Sequence, residues 1–179
     1  MLTDAHKNNG APRVPDFHGG SENFTSVSYM AIPAQPSLAL SMMLLDGVLE
    51  RFPELRVGVI ELGASWLPGL MRQLDSAVDA FSRMEDRLRT LSLRPSEYIR
   101  RQVRVTPFPA EDAGWIMEQT GPEVCPFSSD YPHVEGGRNP LGRFQRSMGR
   151  LPVESQERFY RLNFEDLMGC SFGAVSEIT

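Results

Sequence analysis

The sequence predicts an α/β fold assembled from parallel βαβ units. Three observations carry that reading. Short β-branched runs, around Val57, Val59 and Ile60 and again around Val103 and Val105, alternate with longer stretches of helical periodicity. Turn residues punctuate the boundaries, as at Gly63-Ala64-Ser65 and at Gly121. Carboxylates stand where apolar runs give way to loops, Glu61 after the first run and Asp130 after Phe127. In barrel enzymes the C-terminal ends of the strands point polar groups into the mouth.

Taken in order, residues 1–16 hold Asn8-Asn9-Gly10 and two prolines, and they read as a flexible lead-in. Pro36 and Ser37 open a helix in which Leu38, Met42, Leu45, Leu49 and Phe52 recur at spacings of four and three, a single apolar stripe. Pro53 stops it, because proline cannot continue the backbone ladder. Leu55 to Leu62 is a buried strand by its β-branched content. Trp66 to Met84 is the longest helix, with Leu67, Leu70, Leu74, Ala77, Val78 and Phe81 on one face. Glu85 to Leu93 is charged and reads as a mobile connection, and Pro95-Ser96-Glu97 starts a short helix.

Gln102 to Phe108 alternates about Val103 and Val105, a further strand. Glu111 and Asp112 stand at the start of the next helix, where carboxylates meet the positive end of the helix dipole. That helix carries Trp115, Ile116 and Met117 and ends at Gly121. Pro122 to Phe127 reads as a short buried strand. Helices follow near Leu141 to Met148 and from Val153 to Met168, and residues 170–179 form a frayed tail. Trp66, Trp115 and the methionines fall at helical spacing and read as core or interface.

The chain has 179 residues, long enough for one domain with a sizeable core. It is 41% hydrophobic and 23% charged, ordinary for a globular protein. A net charge of −5 without a basic cluster argues against nucleic acid, whose phosphates demand concentrated Lys and Arg. No apolar run approaches the roughly 18 residues of a membrane span. The first residues lack the apolar stretch of a signal peptide, so a cytoplasmic location is expected. Cys125 and Cys170 make no disulfide framework and are expected to be free thiols.

Phe127-Ser128-Ser129-Asp130-Tyr131-Pro132-His133 is the segment richest in chemistry. An Asp at a strand end can bind a metal, take a proton from a metal-bound water, or do both in turn. It can also simply cap the next turn. Arg138 and Arg143 can grip a substrate carboxylate in bidentate fashion or serve as surface charges.

Ser128-Ser129-Asp130-Tyr131-Pro132-His133 resembles the last-strand motif of the amidohydrolase-related (amidohydrolase 2) family, which includes the aminocarboxymuconate-semialdehyde decarboxylase-like enzymes. Three further segments resemble that family in the same order: Gly47 to Val57, Glu61 to Pro68, and Pro95 to Arg101. Asn163-Phe164 sits where the family has an Asn-Ala pair. The resemblance covers roughly residues 17–169 and only the C-terminal half of the family's chain. It implies a partial (β/α)8 barrel comprising roughly the last four βα units, with the short, Pro-interrupted stretch Val14 to Phe17 as the first of its strands. A complete barrel takes about 250 residues.

The resemblance also implies a divalent metal, zinc first, with His18 and Asp130 as its ligands. Asp130 would handle a proton as well, while Glu61 and His133 would act on or orient a small carboxylated or cyclic substrate. The implied activity is metal-dependent hydrolysis or decarboxylation. This sequence departs from the pattern at three places. Glu61 replaces a catalytic histidine, Ile32-Pro33 replaces His-Pro, and the first-strand His-x-His is absent. Catalytic zinc takes three protein ligands and a water. His18 and Asp130 supply two. The rival expectation is a non-catalytic remnant or interaction module without a working metal site. Half a barrel would leave open strand edges, so a homo-oligomer or a separate N-terminal half is the expected partner.

Overall fold

A computed structural model describes residues 26–131 and 137–171. The expected strand at Val14 to Phe17 lies outside the described residues, as do His18 and His133.

Helix α1 (Ser26–Ala31) leads into α2 (Ala34–Leu45) and the single turn α3 (Val48–Arg51). The continuous helix expected here is broken at Asp46-Gly47, where Gly47 adopts φ +70°. A left-handed φ suits glycine, which has no Cβ to clash. The expected stripe is also corrected. Pro36, Leu40, Leu44 and Leu49 are the buried residues, whereas Leu38 and Met42 are 60% and 58% exposed. Leu-Ala-Leu-Ser-Met-Met-Leu-Leu is apolar on every face, so periodicity alone cannot select the inward one.

Strand β1 (Val57–Val59) is followed by α4 (Leu67–Phe81), which buries Leu67, Leu70, Met71 and Leu74. Phe81, expected on that face, is exposed because the helix runs past the edge of the core. The charged connection after it is no loose loop. It contains α5 (Asp86–Arg89), pinned by buried Leu88. In α6 (Pro95–Gln102), Glu97 reaches back to accept from the Arg94 N–H at 2.8 Å, the N-terminal half of a capping box.

The chain passes directly from α6 into β2 (Val103–Val105), which pairs in parallel with β1, Val57 opposite Val103 and Val59 opposite Val105. Parallel neighbours need a long crossover, and α4 to α6 supply it. Gln102 secures the start of both strands. Fully buried, it donates from Nε2 to the carbonyls of Phe52 and Leu55, 2.8 and 3.1 Å away, and accepts from Arg101.

Helix α7 (Ala113–Thr120) starts at Asp112, whose carboxylate accepts from Trp115 N, and stops at Gly121. The segment Pro122 to Phe127 takes the third position in the sheet without becoming a regular strand. Val105 N donates to Val124 O at 3.0 Å, so β2 lies between β1 and this segment. Val124 and Cys125 are fully buried. Helices α8 (Pro140–Met148), α9 (Val153–Glu157) and α10 (Asn163–Met168) complete the described chain. A π-helical turn, Arg158–Leu162, interrupts what the sequence presents as one continuous helix.

Val103 and Val105 face the main core with Leu67, Ile99 and Ile116, all fully buried. The other side of the sheet carries Gly58 and Arg104. Helix α10 covers it: a Cβ on Gly58 would come within 3.1 Å of Leu167 Cδ2, and Arg104 pairs with Asp166. Among the described residues no helix is long and apolar enough to cross a membrane.

Candidate active site

The site is built at the C-terminal edge of the sheet. Beyond β1 the chain turns at Glu61, and its backbone N–H donates to Thr106 Oγ1 at 3.1 Å. Thr106 in turn donates its own N–H to Val59 O. Those contacts hold Glu61 at φ +67°, with the residue exposed at the strand end. Asp130, after the third segment, adopts φ +57°. Ser128 and Ser129 offer their hydroxyls to the N–H groups of Asp130 and Tyr131, at 3.4 and 3.3 Å. Asp130 Oδ2 is buried. Glu61 and Asp130 are the only non-glycine residues with positive φ among the described residues. The two candidate carboxylates therefore follow the two outer parts of the sheet, with β2 between them.

Glu111 has a larger role than dipole pairing. Its Oε2 accepts from Ala64 N at 2.9 Å and from Phe108 N at 2.8 Å, while Oε1 accepts from Ser65 N at 2.9 Å. One carboxylate thus ties the loop after β1 to the loop after β2. Gly63 fits beneath this clamp because a Cβ there would lie 2.9 Å from the Phe108 ring. Sequence reasoning missed Thr106 and this function of Glu111. A signal for the clamp existed: Glu111-Asp112 puts two carboxylates before a helix that needs one N-cap. Replacing Glu111 by Gln turns one acceptor into a donor, leaving N–H groups unsatisfied. It should cost about 2 kcal/mol in urea denaturation.

Glu61 yields a second expectation. A β-branched side chain is strongly disfavoured at positive φ, whereas glycine is at ease there. Glu61→Val should be less stable than Glu61→Gly by about 1–2 kcal/mol, and equal midpoints would contradict the left-handed turn.

Cys125 offers no chemistry to the site. Burial pushes its thiol far above the ordinary cysteine range, so it stays protonated and inert at neutral pH. Arg138 and Arg143 are exposed. A shallow groove at the opposite, N-terminal end of the strands is lined by Arg56, Leu162, Asp166 and Cys170, remote in the sheet from the two carboxylates. Among the described residues no group of three His, Cys, Asp or Glu could hold a metal ion.

Two solved structures share this fold. An amidohydrolase from Mycobacterium avium subsp. paratuberculosis K-10 is 23% identical, with a TM-score of 0.67, over 84% of this chain and 38% of its own. A 5-carboxyvanillate decarboxylase from Sphingomonas paucimobilis is also 23% identical, with a TM-score of 0.57, over 75% of this chain and 40% of its own. No family model matches the chain, and no curated protein matches it. The chain spans well under half the length of either solved structure, and what it shares with them is the fold of that part.

Proposed function

We propose that this chain is the C-terminal half of an amidohydrolase-like barrel, of the decarboxylase-containing type its motifs resemble. It would act on a small carboxylated or cyclic substrate by hydrolysis or decarboxylation, with a separate N-terminal half or a second copy completing the site. The observation that carries this reading is the pair of left-handed carboxylates at one edge of the sheet. Such backbone costs of order 1–3 kcal/mol at a non-glycine residue, and it persists mainly where surroundings impose it, often at active sites.

In this reading Asp130 takes and returns a proton, and Glu61 and His133 orient the substrate at the mouth. A divalent ion, zinc first, would polarise the substrate or activate water. The described donors alone do not fit such an ion, since they form no group of three. Its binding would depend on His18 together with Asp130, and two ligands leave the sphere open. The isolated chain should therefore hold zinc weakly and lose it on dialysis.

Asp130→Asn tests the assignment. Asn tolerates left-handed backbone, so the variant should melt within a few degrees of the parent. Its zinc binding, followed by calorimetric titration, should disappear. A variant that keeps its zinc binding and loses on the order of 1 kcal/mol would make Asp130 a turn cap instead. A second reading, a remnant without catalysis, draws on the 38% and 40% of the two solved chains that this chain matches. It predicts no zinc binding in the parent either.

A further inference from the structure

At the end of the β1–β2 ladder, the next two backbone bonds are both diverted to side chains. Val59 stands opposite Val105, and its carbonyl accepts from Thr106 N at 3.0 Å. In a parallel ladder the bonds are evenly spaced, and every second residue of a strand bonds to the same neighbour. Continuing that register sets Glu61 opposite Pro107. Its N–H would then donate to the Thr106 carbonyl, and its own carbonyl would accept from Phe108 N. Neither bond forms. Glu61 N donates to Thr106 Oγ1 at 3.1 Å instead, and Phe108 N donates to Glu111 Oε2 at 2.8 Å.

The exchange nearly conserves hydrogen bonding, since one oxygen acceptor replaces another. What it changes is the backbone. Rotation about N–Cα is what φ measures, and the group that takes the Glu61 N–H fixes one end of that bond. Glu61 leaves the extended range for φ +67°. Thr106 is 5% exposed and β-branched, so χ1 has little freedom and the hydroxyl is offered in one direction. Beyond the turn, Glu111 accepts from Ala64 N and Ser65 N, so the turn is held at both ends.

We propose that Thr106 is a positioning residue of the mouth, its hydroxyl displacing the strand carbonyl and so turning Glu61 out of the ladder. The proposal rests on the reading that Glu61 orients substrate there. With valine at position 106 no side-chain acceptor competes with the main-chain carbonyl. Glu61 N then returns to the ladder, its φ becomes negative, and the left-handed strain is relieved. The Glu61 carboxylate leaves its place at the mouth, whereas Asp130, on the other side of β2, keeps its own. Serine retains the acceptor and should retain the turn.

NMR of the full-length chain beside Thr106→Val and Thr106→Ser tests this. Positive φ brings a residue's amide and α protons close together and gives a strong intraresidue NOE. Glu61 should show that NOE in the parent and in Thr106→Ser, and in Thr106→Val it should fall to the level of Val59. Titrated Mn²⁺ should broaden the Glu61 γ protons less in Thr106→Val than in the parent, with the Asp130 amide broadened equally in both. A general loss of stability would not split the two residues. A folded Thr106→Val variant that keeps the Glu61 NOE would overturn the proposal, as would undiminished Glu61 broadening in a variant that has lost the NOE. So would a folded Thr106→Ser variant without the NOE, and that comparison decides if the valine variant fails to fold. Absence of Mn²⁺ broadening in the parent would count against the reading of the site, and the NOE would still decide for or against Thr106.

Discussion

Replacing Phe159 by alanine is expected to cost the fold about 3–5 kcal/mol, the range for removing a buried aromatic ring. The ring is fully buried. Its centroid lies 4.9 Å from that of Phe144, 5.1 Å from Tyr160 and 6.1 Å from Phe127. Phe144 is equally buried, so the space left behind is walled by aromatic rings that cannot all collapse into it. The loss reaches the site because Phe127 stands three residues before Asp130 and packs on this cluster. Urea denaturation should show the full penalty, and zinc binding should weaken with it. Trp115, 43% exposed, is the control, and its alanine variant should cost far less. A Phe159→Ala loss below about 1.5 kcal/mol would mean that the cluster is not packed as described.

The second large effect is at the opposite end of the sheet. Arg104 projects from the middle of β2 with its side chain 5% exposed, and Asp166 Oδ2 accepts from its Nη2 at 2.6 Å. Burial lowers the guanidinium pKa, and the Asp166 charge works against that shift. Nη1 also donates to the carbonyls of Val103 and Arg100, at 2.8 and 3.1 Å. Removing the carboxylate strands a buried cation. A fully buried pair broken this way costs about 3–5 kcal/mol. Asp166 is 37% exposed and shared with Arg56, which admits water and screening. About 2–3 kcal/mol is therefore expected for Asp166→Ala. Arg104→Met in the same chain should recover most of that loss, because an apolar side chain of similar length needs no counter-charge. A double variant no more stable than Asp166→Ala would contradict this account.

What the sequence could reveal depended on how local the cause was. Pro95-Ser96-Glu97 announced α6 because proline at the first helical position and a carboxylate in the first turn are signals written within three residues. The β-branched runs announced β1 and β2, and the Asp112 cap and Gly121 stop bracketed α7. The inward face of α2 was not legible, since Leu38 and Leu40 are equal in apolarity and only tertiary packing separates them. The irregular third segment and the π-helical turn are coupled through Phe127 and Phe159, thirty-odd positions apart, a dependence no window of sequence contains. At the site, residue type and strand-end position singled out Glu61 and Asp130. Their left-handed backbone was invisible, because Glu gives no turn signal and Asp gives several. The clamp made by Glu111 is not legible locally, since its three donors come from two loops distant in sequence.

The central claim is that the ends of β1 and of the third segment form one mouth that gathers a divalent ion and substrate. Paramagnetic broadening of backbone amide signals by titrated Mn²⁺ tests it most directly. The account predicts early, selective broadening at Glu61, Ser129 and Asp130, absent in Asp130→Asn, while Arg56 and Asp166 at the other end of the strands stay sharp. Broadening centred on Asp166, or an unchanged pattern in the Asp130→Asn variant, would contradict it.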